Sequence, residues 1–184
     1  MRHTIVARLR NDPLALTRVV GLLRRRGFHV DTMTLGPSEA EGARRATLVV
    51  EAADVRQVVA QLRRLVDVLE AEALPGGEAL ERETALLSVA AGAAERPQIV
   101  ALCSVFGGRV LEVGACSMVV EVTGSPSHLD RFLELVRPHG LLALARTGRI
   151  ALARSPIAAR IDDIAHTPAA PAPLHLAPVH ALAG

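Results

Sequence analysis

Residues 3–33 read HTIVARLRNDPLALTRVVGLLRRRGFHVDTM and contain the pattern of a strand, a helix and a second strand. The first seven residues are apolar and β-branched over the length of a strand, and Asn11-Asp12-Pro13 interrupts them. The next segment has the i, i+3, i+4, i+7 spacing of one buried helix face, at Leu16, Val19, Val20 and Leu23. We expect Asn11 or Asp12 to cap this helix and Pro13 to occupy its first turn.

The second strand, FHVDTMTLG at residues 28–36, alternates two sets of side chains. One face is predicted to carry Phe28, Val30, Thr32 and Thr34, and the other His29, Asp31, Met33 and Leu35. The sheet face away from the helices is expected to be apolar in part, at Val6, Met33 and Val49. Because a second copy can cover such a face, we infer that the chain self-associates.

The order strand, helix, strand, strand, helix, strand fills residues 1–75, up to a Pro-Gly-Gly break, and recurs over residues 79–154. We therefore predict an α+β fold of two tandem ferredoxin-like βαββαβ units. In the second unit, LLALART and RIALARS are predicted to be strands on either side of a Thr-Gly turn. The second helix of this unit has a predicted buried face of Leu129, Phe132, Leu133 and Val136.

The composition narrows the classes of function. The chain has 184 residues, with 21 basic residues that are all arginine, 19 acidic residues and a formal charge of +2, so there is little reason to expect polyanion binding. No run of about 18 apolar residues is present, so no membrane helix is predicted. Residues 155–184 are rich in alanine and proline, and we expect them to form a mostly unstructured tail. We expect a reduced, soluble, cytoplasmic protein.

The sequence contains no catalytic motif: GxSxG, HExxH, a P-loop and a GxGxxG after a strand are all missing. Cys103 lies on the apolar face of a predicted helix and is interpreted as a small buried hydrophobe rather than a nucleophile. The lack of lysine excludes Schiff-base chemistry. We therefore predict that this chain has no catalytic residue and no metal site.

Three arginine clusters, at residues 24–26, 44–45 and 63–64, raise the question of nucleic-acid binding. Sheets of this topology that bind RNA stack bases on strand aromatics, but the predicted strands offer only Phe28. We therefore interpret the clusters as residues of helix ends and of a subunit surface, and we expect no nucleic-acid partner.

The turn from the first strand to the first helix, at residues 11–16, is a candidate ligand site. The start of a helix offers free N–H groups and a partial positive charge, which suit a carboxylate. If two copies pair, this turn can face the FHVDTM strand of the partner and hold a small amino acid between the chains. An ordinary capped turn is the alternative that the spacing alone favours.

The first 39 residues combine a short strand, an N-x-P-x-A-L-x-R-V turn, GLLRRRGF and a T-L-x-P sequence that ends at Pro37. In this combination they resemble the opening of the acetolactate (acetohydroxyacid) synthase small-subunit family. Later segments resemble that family in the same order, namely QLRRLVDVLEAEAL, LERETALLSV, FGGRVLEVGACSMVVEVTGSPSHLDRFLELVRPHG and LARTGRIALAR. The likeness covers about residues 2–154, and the tail falls outside it.

The resemblance implies a non-catalytic regulatory subunit with an N-terminal ACT domain at residues 1–75 and a smaller ferredoxin-like domain at residues 79–154. It implies a homodimer through the ACT domains, bound to a large catalytic subunit that uses thiamine diphosphate, Mg and FAD. This chain itself is expected to hold no cofactor. Such subunits raise the activity of the catalytic subunit, and many confer feedback inhibition by valine. The complex condenses pyruvate with pyruvate or 2-oxobutyrate in valine, leucine and isoleucine biosynthesis.

The family's effector site corresponds here to Asn11, Asp12, Pro13, Leu14, Ala15, Leu16, His29 and Val30. Leu14 stands where the family pattern has a glycine, so its side chain would occupy space beside the helix start. His29 stands where the family usually has asparagine, which changes the hydrogen-bonding geometry and the charge near neutral pH. Asp12 adds a negative charge that would repel the carboxylate of an amino acid. We therefore predict a weakened or absent response to valine, with activation of the catalytic subunit kept.

Two other classes of function stay open at this point. The chain can be a free-standing ACT-type amino-acid sensor that serves another enzyme. It can also be a small ferredoxin-fold enzyme, although the missing nucleophile and base disfavour that reading.

Overall fold

The computed structural model describes residues 1–77 and 79–154, so the predicted tail at residues 155–184 lies outside the described residues. Its N-terminal half contains six elements in the predicted order. They are β1 (Arg2–Arg10), α1 (Pro13–Arg25), β2 (His29–Pro37), β3 (Ala43–Glu51), α2 (Val55–Leu62) and β4 (Val68–Leu74).

The C-terminal half repeats this order and adds one strand. Its elements are β5 (Ala79–Ala90), α3 (Arg96–Val105), β6 (Arg109–Val113), β7 (Ser117–Gly124), α4 (Pro126–Val136), β8 (Leu141–Arg146) and β9 (Ile150–Ala153). A short 3₁₀ turn, Arg137–His139, follows α4. None of the helices in the described part of the chain is long and apolar enough to cross a membrane.

The strands form two antiparallel sheets, in the order β2-β3-β1-β4 and β6-β7-β5-β8. One face of each sheet packs on its two helices: Ile5 and Leu48 contribute to the first core, and Leu87 and Phe132 to the second. The α+β fold of two tandem ferredoxin-like units is confirmed. Both sheets belong to one compact unit, Met1–Ala153, and the division into domains at residues 75 and 79 stays a prediction.

The helix signals in the sequence were local ones, and most of them hold. Asp12 caps α1, because its Oδ1 accepts from the N–H of Leu14 at 2.7 Å. All four residues of the face predicted for α4 are buried. The face predicted for α1 was wrong at Val20, whose residue surface is 46% exposed. Ala15 and Leu22 are buried in α1 instead, so the buried face of the helix is rotated slightly from the predicted one.

A β-bulge changes the faces of β2. The register between β2 and β3 shifts between Val30 and Thr32, so that Asp31 is the extra residue. One inserted residue moves every later side chain to the opposite face. Met33, predicted for the face away from the helices, therefore packs against the helix-side core together with Val30. The prediction of strict alternation along this strand was wrong.

The last strand does not form a hairpin with β8. Both strands run antiparallel to β5 one after the other: β8 pairs with Ala85–Val89, and β9 pairs with Ala79–Arg82. In the break between them, the N–H of Thr147 donates to the carbonyl oxygen of Thr84 at 2.9 Å. We call the two-stranded extension formed by residues 79–82 and 150–153 the ribbon.

The ribbon packs on the open face of the N-terminal sheet. Ala79 and Ala151 on the ribbon contact Val6 and Leu74 on the sheet, and these form a small apolar cluster. Four outward-facing side chains on the sheet's central strands are buried within a single chain, namely Thr4, Val6, Thr47 and Val49. The apolar residues of this face therefore need no second copy to cover them, and self-association stays a prediction that rests on other surfaces.

Candidate ligand site at the start of the first helix

In the turn between β1 and α1, the side chain of Asp12 accepts a hydrogen bond from the start of the helix. The N–H of Leu14 donates to Asp12 Oδ1 at 2.7 Å, and the N–H of Ala15 donates to the carbonyl oxygen of Asp12 at 3.1 Å. Pro13 has no N–H to offer. A ligand carboxylate at this turn therefore meets donors that are already engaged, next to the negative charge of Asp12.

A groove of about 500 Å³ lies beside this turn. Of the predicted site residues it is lined by Asn11, Asp12, Pro13, Ala15 and Leu16. Leu14 is not among the described residues that line it, and its residue surface is 55% exposed.

The sequence reasoning missed four residues of this groove, Leu9, Arg10, Leu35 and Arg44. They reach it through strand register, because Arg44 lies opposite Leu9 on one neighbouring strand and opposite Pro37 on the other. The Nε of Arg44 donates to Asn11 Oδ1 at 3.1 Å, which fixes the amide of the turn. Strand pairing with residues 43–45 was the signal that could have found them.

The arginine clusters were interpreted as residues of helix ends and of a subunit surface, and the pair at 44 and 45 lies on a strand rather than in the predicted loop or at a helix end. Both lie within β3. Arg18, on α1, forms an ion pair with the buried Asp67 at 2.6 Å. The hydrogen bond to Asp67 raises the pKa of Arg18, because it favours the charged guanidinium.

His29 and Val30 lie at the opposite end of the N-terminal sheet from the turn. His29 is paired with Glu51 at one end of β3, while the turn adjoins Ala43 at the other end, about 25 Å away along the strands. His29 is exposed, and its Nε2 lies 3.3 Å from Asp31 Oδ1. Both residues line a separate groove of about 530 Å³, between α1 and β2. Within one chain, the structure therefore does not bring these two residues to the turn.

Other reactive side chains lie away from this site. Cys103 is buried on α3 as predicted, and burial raises the pKa of its thiol because a thiolate is poorly solvated there. Cys116 is exposed. In residues 1–77 and 79–154, no cluster of three or more His, Cys, Asp or Glu side chains is arranged to hold a metal ion.

Comparison with known protein families gives two matches along the chain. A model described as the small subunit of acetolactate synthase matches residues 82–155. A model of the ACT domain matches residues 11–71. Both halves of the chain therefore match family models.

Individual relatives agree with these matches. The probable acetolactate synthase small subunit of Archaeoglobus fulgidus is 38% identical over 156 residues, which are 84% of this chain and 98% of that protein. The acetolactate synthase small subunit of Mycobacterium bovis is 32% identical and covers 84% and 93% of the two chains. The crystal structure of the acetolactate synthase small subunit of Thermotoga maritima superposes with a TM-score of 0.80 at 28% identity. It covers 85% of this chain and 99% of its own.

Proposed function

Because the chain belongs to the acetolactate synthase small-subunit family, we propose that it binds the separate catalytic subunit of that enzyme and raises its activity. The observation that carries the proposal is the length of the match, since the relatives align over both modules and nearly their whole length. The chain is a regulatory small subunit, and its place is in branched-chain amino-acid biosynthesis. Thiamine diphosphate, Mg and FAD belong in this proposal to the catalytic subunit.

The proposed regulatory unit is a homodimer formed along β2. This strand is nine residues long and is the outer strand of its sheet. Two copies that pair antiparallel there place the His29 end of one chain beside the turn end of the other. Such a dimer joins the two groups of predicted site residues, which a single chain holds about 25 Å apart.

A small amino acid held between these copies would favour one arrangement of the dimer. Regulation then requires that the two arrangements hold the catalytic subunit differently, because an effector shifts an equilibrium only by its difference in affinity. Activation depends on the surface that contacts the catalytic subunit and not on the turn. Loss of effector binding is therefore compatible with activation.

Three features of the predicted effector site support a weakened response to valine. Leu14 carries an exposed branched side chain where the family pattern has glycine. Asp12 occupies the N–H of Leu14 and places a carboxylate at the helix start. His29 lies beside Asp31, so a partner's turn would meet an imidazole in place of an amide. Together these features remove both the space and the donors that a ligand carboxylate needs.

The direct test of activation is an assay of pyruvate condensation by the purified catalytic subunit, with and without this chain. We expect a faster rate and co-elution of the two proteins in size-exclusion chromatography. The chain alone is expected to produce no acetolactate. An unchanged rate together with separate elution would reject the proposal and favour a free-standing ACT sensor.

The response to valine is tested by isothermal titration of the chain alone. We expect no saturation below about 1 mM for the natural sequence, and binding at least about tenfold tighter for the Leu14→Gly, His29→Asn double variant. Leu14→Ala serves as the matched control, because it keeps a Cβ atom while shortening the side chain. Micromolar binding by the unmodified chain would contradict the predicted weakening.

A further inference from the structure

A third groove, of about 390 Å³, lies where the ribbon meets β2 and β3. It is separate from the groove at the turn, although Leu35 borders both. Its apolar walls come from the end of β2 and from the ribbon, at Leu35, Pro37, Leu80, Ile150 and Leu152. Ile150 and Leu152 are 61% and 57% exposed. Large aliphatic side chains at such exposure are typical of a binding surface when they converge on one concavity.

The strand register shows that these side chains are not the ones that hold the ribbon in place. Leu80 pairs with Leu152, and Arg82 pairs with Ile150, so these four lie on one face of the ribbon. The opposite face packs on the N-terminal sheet through the small residues Ala79 and Ala151. The large apolar side chains in the groove are therefore not needed to pack the ribbon on the sheet.

The charged residues that line the groove are both arginines. Arg45 and Arg82 line it, and none of the described residues that line it is Asp or Glu. Arg45 is held in place by a hydrogen bond from its Nη2 to the carbonyl oxygen of Ala151 at 3.2 Å. Its Nη1 also lies 3.9 Å from the carboxylate of Glu39, and Arg45 borders a second cavity that is lined by Arg8, Glu39, Glu70 and Glu72 as well. The groove is also lined by two residues with hydroxyl groups, Thr34 and Thr47.

We propose that this groove binds a small aliphatic monocarboxylate that carries no ammonium group. Guanidinium groups bind carboxylates through charge-assisted hydrogen bonds, while the leucine and isoleucine side chains cover an alkyl chain. An α-amino acid fits less well, because its ammonium group would lie near two guanidinium groups with no carboxylate in the lining to compensate it. The volume suits one small molecule.

This site differs from the effector turn in both place and ligand chemistry. The turn is proposed to take an amino acid between two chains, whereas the groove takes a monocarboxylate within one chain. A ligand in the groove contacts β2 and β3 of the first sheet and also the ribbon that leads into the second. The proposal does not rest on the proposed function, and its test needs no catalytic subunit.

The test is a calorimetric titration of the full chain with 4-methylpentanoate. Leucine is the matched control, because it has the same carbon skeleton and adds only the ammonium group. The alcohol 4-methylpentan-1-ol is the second control, because it lacks the carboxylate. We expect saturable binding of the acid and at least about tenfold weaker binding of both controls.

Substitutions then locate the site. We expect two substitutions each to weaken binding of the acid by about tenfold or more. They are Arg82→Gln, at an exposed position, and Ile150→Asp, on the exposed face of the ribbon. Arg8→Gln is the matched control, because this arginine lies on the same sheet outside the groove. Circular dichroism checks that each variant is folded. The proposal is overturned by no saturation up to about 10 mM acid, by equal affinity for leucine, or by unchanged affinity in a folded Arg82→Gln variant.

Discussion

The two halves of the molecule share their order of strands but differ in what lies on the open face of each sheet. In the N-terminal sheet, the ribbon covers part of this face, and the apolar residues Val6 and Val49 on it are buried. In the C-terminal sheet, the corresponding face carries Thr84, Leu86 and Ser88 on its central strand, and Leu86 is exposed. The same fold therefore supports a covered face and an open one, and the cover comes from an extension of the second half.

A network of charged side chains joins the ribbon to both sheets. The Nη1 of Arg149 donates to Thr4 Oγ1 and to Glu81 Oε1, each at 3.1 Å, and its Nε donates to Glu83 Oε1 at 3.3 Å. Glu83 also accepts from Arg146. Because Thr4 lies on β1 and the other residues on β5, β8 or the break before β9, this network connects the two halves through the contacts of Thr4 with Arg149 and Glu81. The buried Glu83 holds Arg146 and Arg149 on the C-terminal side of this link.

The largest effect is expected from Glu83→Gln, which tests whether the covered face depends on this network. Burial lowers the pKa of Arg146, but hydrogen bonds to Asp130 and Glu83 outweigh burial and raise it, so the guanidinium stays charged. Loss of the Glu83 charge leaves two cations without their shared partner. We expect the free energy of unfolding to fall by about 2–4 kcal/mol, measured by urea denaturation.

The control is Glu70→Gln, which removes a carboxylate from the exposed ion pair with Arg8. We expect this change to cost less than about 0.5 kcal/mol, because solvent screens an exposed pair. Equal losses in the two variants would contradict the role given to Glu83.

A smaller effect is expected from Gly148→Ala, which tests the contact between the break before β9 and strand β2. An added Cβ atom at Gly148 would lie 2.6 Å from Thr34 Cγ2 and 3.4 Å from the carbonyl oxygen of Met33. We expect a loss of about 1–2 kcal/mol in the free energy of unfolding, because the packed strands must shift. Gly36→Ala, where a Cβ atom meets nothing within 4 Å, is the matched control.

A second substitution sharpens this test. Thr34→Ser removes the methyl group that the new Cβ atom would touch and keeps the hydroxyl group that donates to the carbonyl oxygen of Arg149 at 2.8 Å. We expect the double variant to recover most of the stability that Gly148→Ala loses. Strict additivity of the two changes would show that the strain lies elsewhere.

The sequence predicted those parts of the fold that depend on neighbours along the chain. Helix α1 follows from the Asp12-Pro13 start and the apolar spacing after it, and these signals need no other part of the molecule. The bulge at Asp31 could not be predicted, because it exists only in the pairing of β2 with β3. The ribbon could not be predicted either, since RIALAR can pair with β8 or with β5 and only packing decides between them.

The same division holds for the candidate site. Residues 11–16 are consecutive, so the sequence alone could group them. Arg10 and Arg44 join the groove through the register of β1 and β3, which no local pattern encodes. His29 was placed with the turn by family resemblance, and the single chain keeps the two apart. The dimer proposed along β2 would unite them.

The smallest effect concerns the first helix of each half. Asp12 caps α1 through its side chain, whereas Glu95, at the equivalent position before α3, makes no side-chain hydrogen bond to the helix. We expect Asp12→Ala to lower the free energy of unfolding by about 1 kcal/mol, because the N–H of Leu14 loses its acceptor. Glu95→Ala is expected to change it by less than about 0.3 kcal/mol, since no cap is lost. Urea denaturation measures both.

Asp12→Asn separates the cap from the charge, because asparagine caps helices about as well as aspartate. Its stability is expected to stay within about 0.5 kcal/mol of the natural chain, and a loss as large as that of Asp12→Ala would contradict the cap. In a Leu14→Gly, His29→Asn background, both substitutions at Asp12 remove the negative charge, but only alanine frees the backbone N–H of residue 14 for a ligand. Tighter binding of valine with alanine than with asparagine would therefore show that the engaged donor, and not charge alone, blocks the turn.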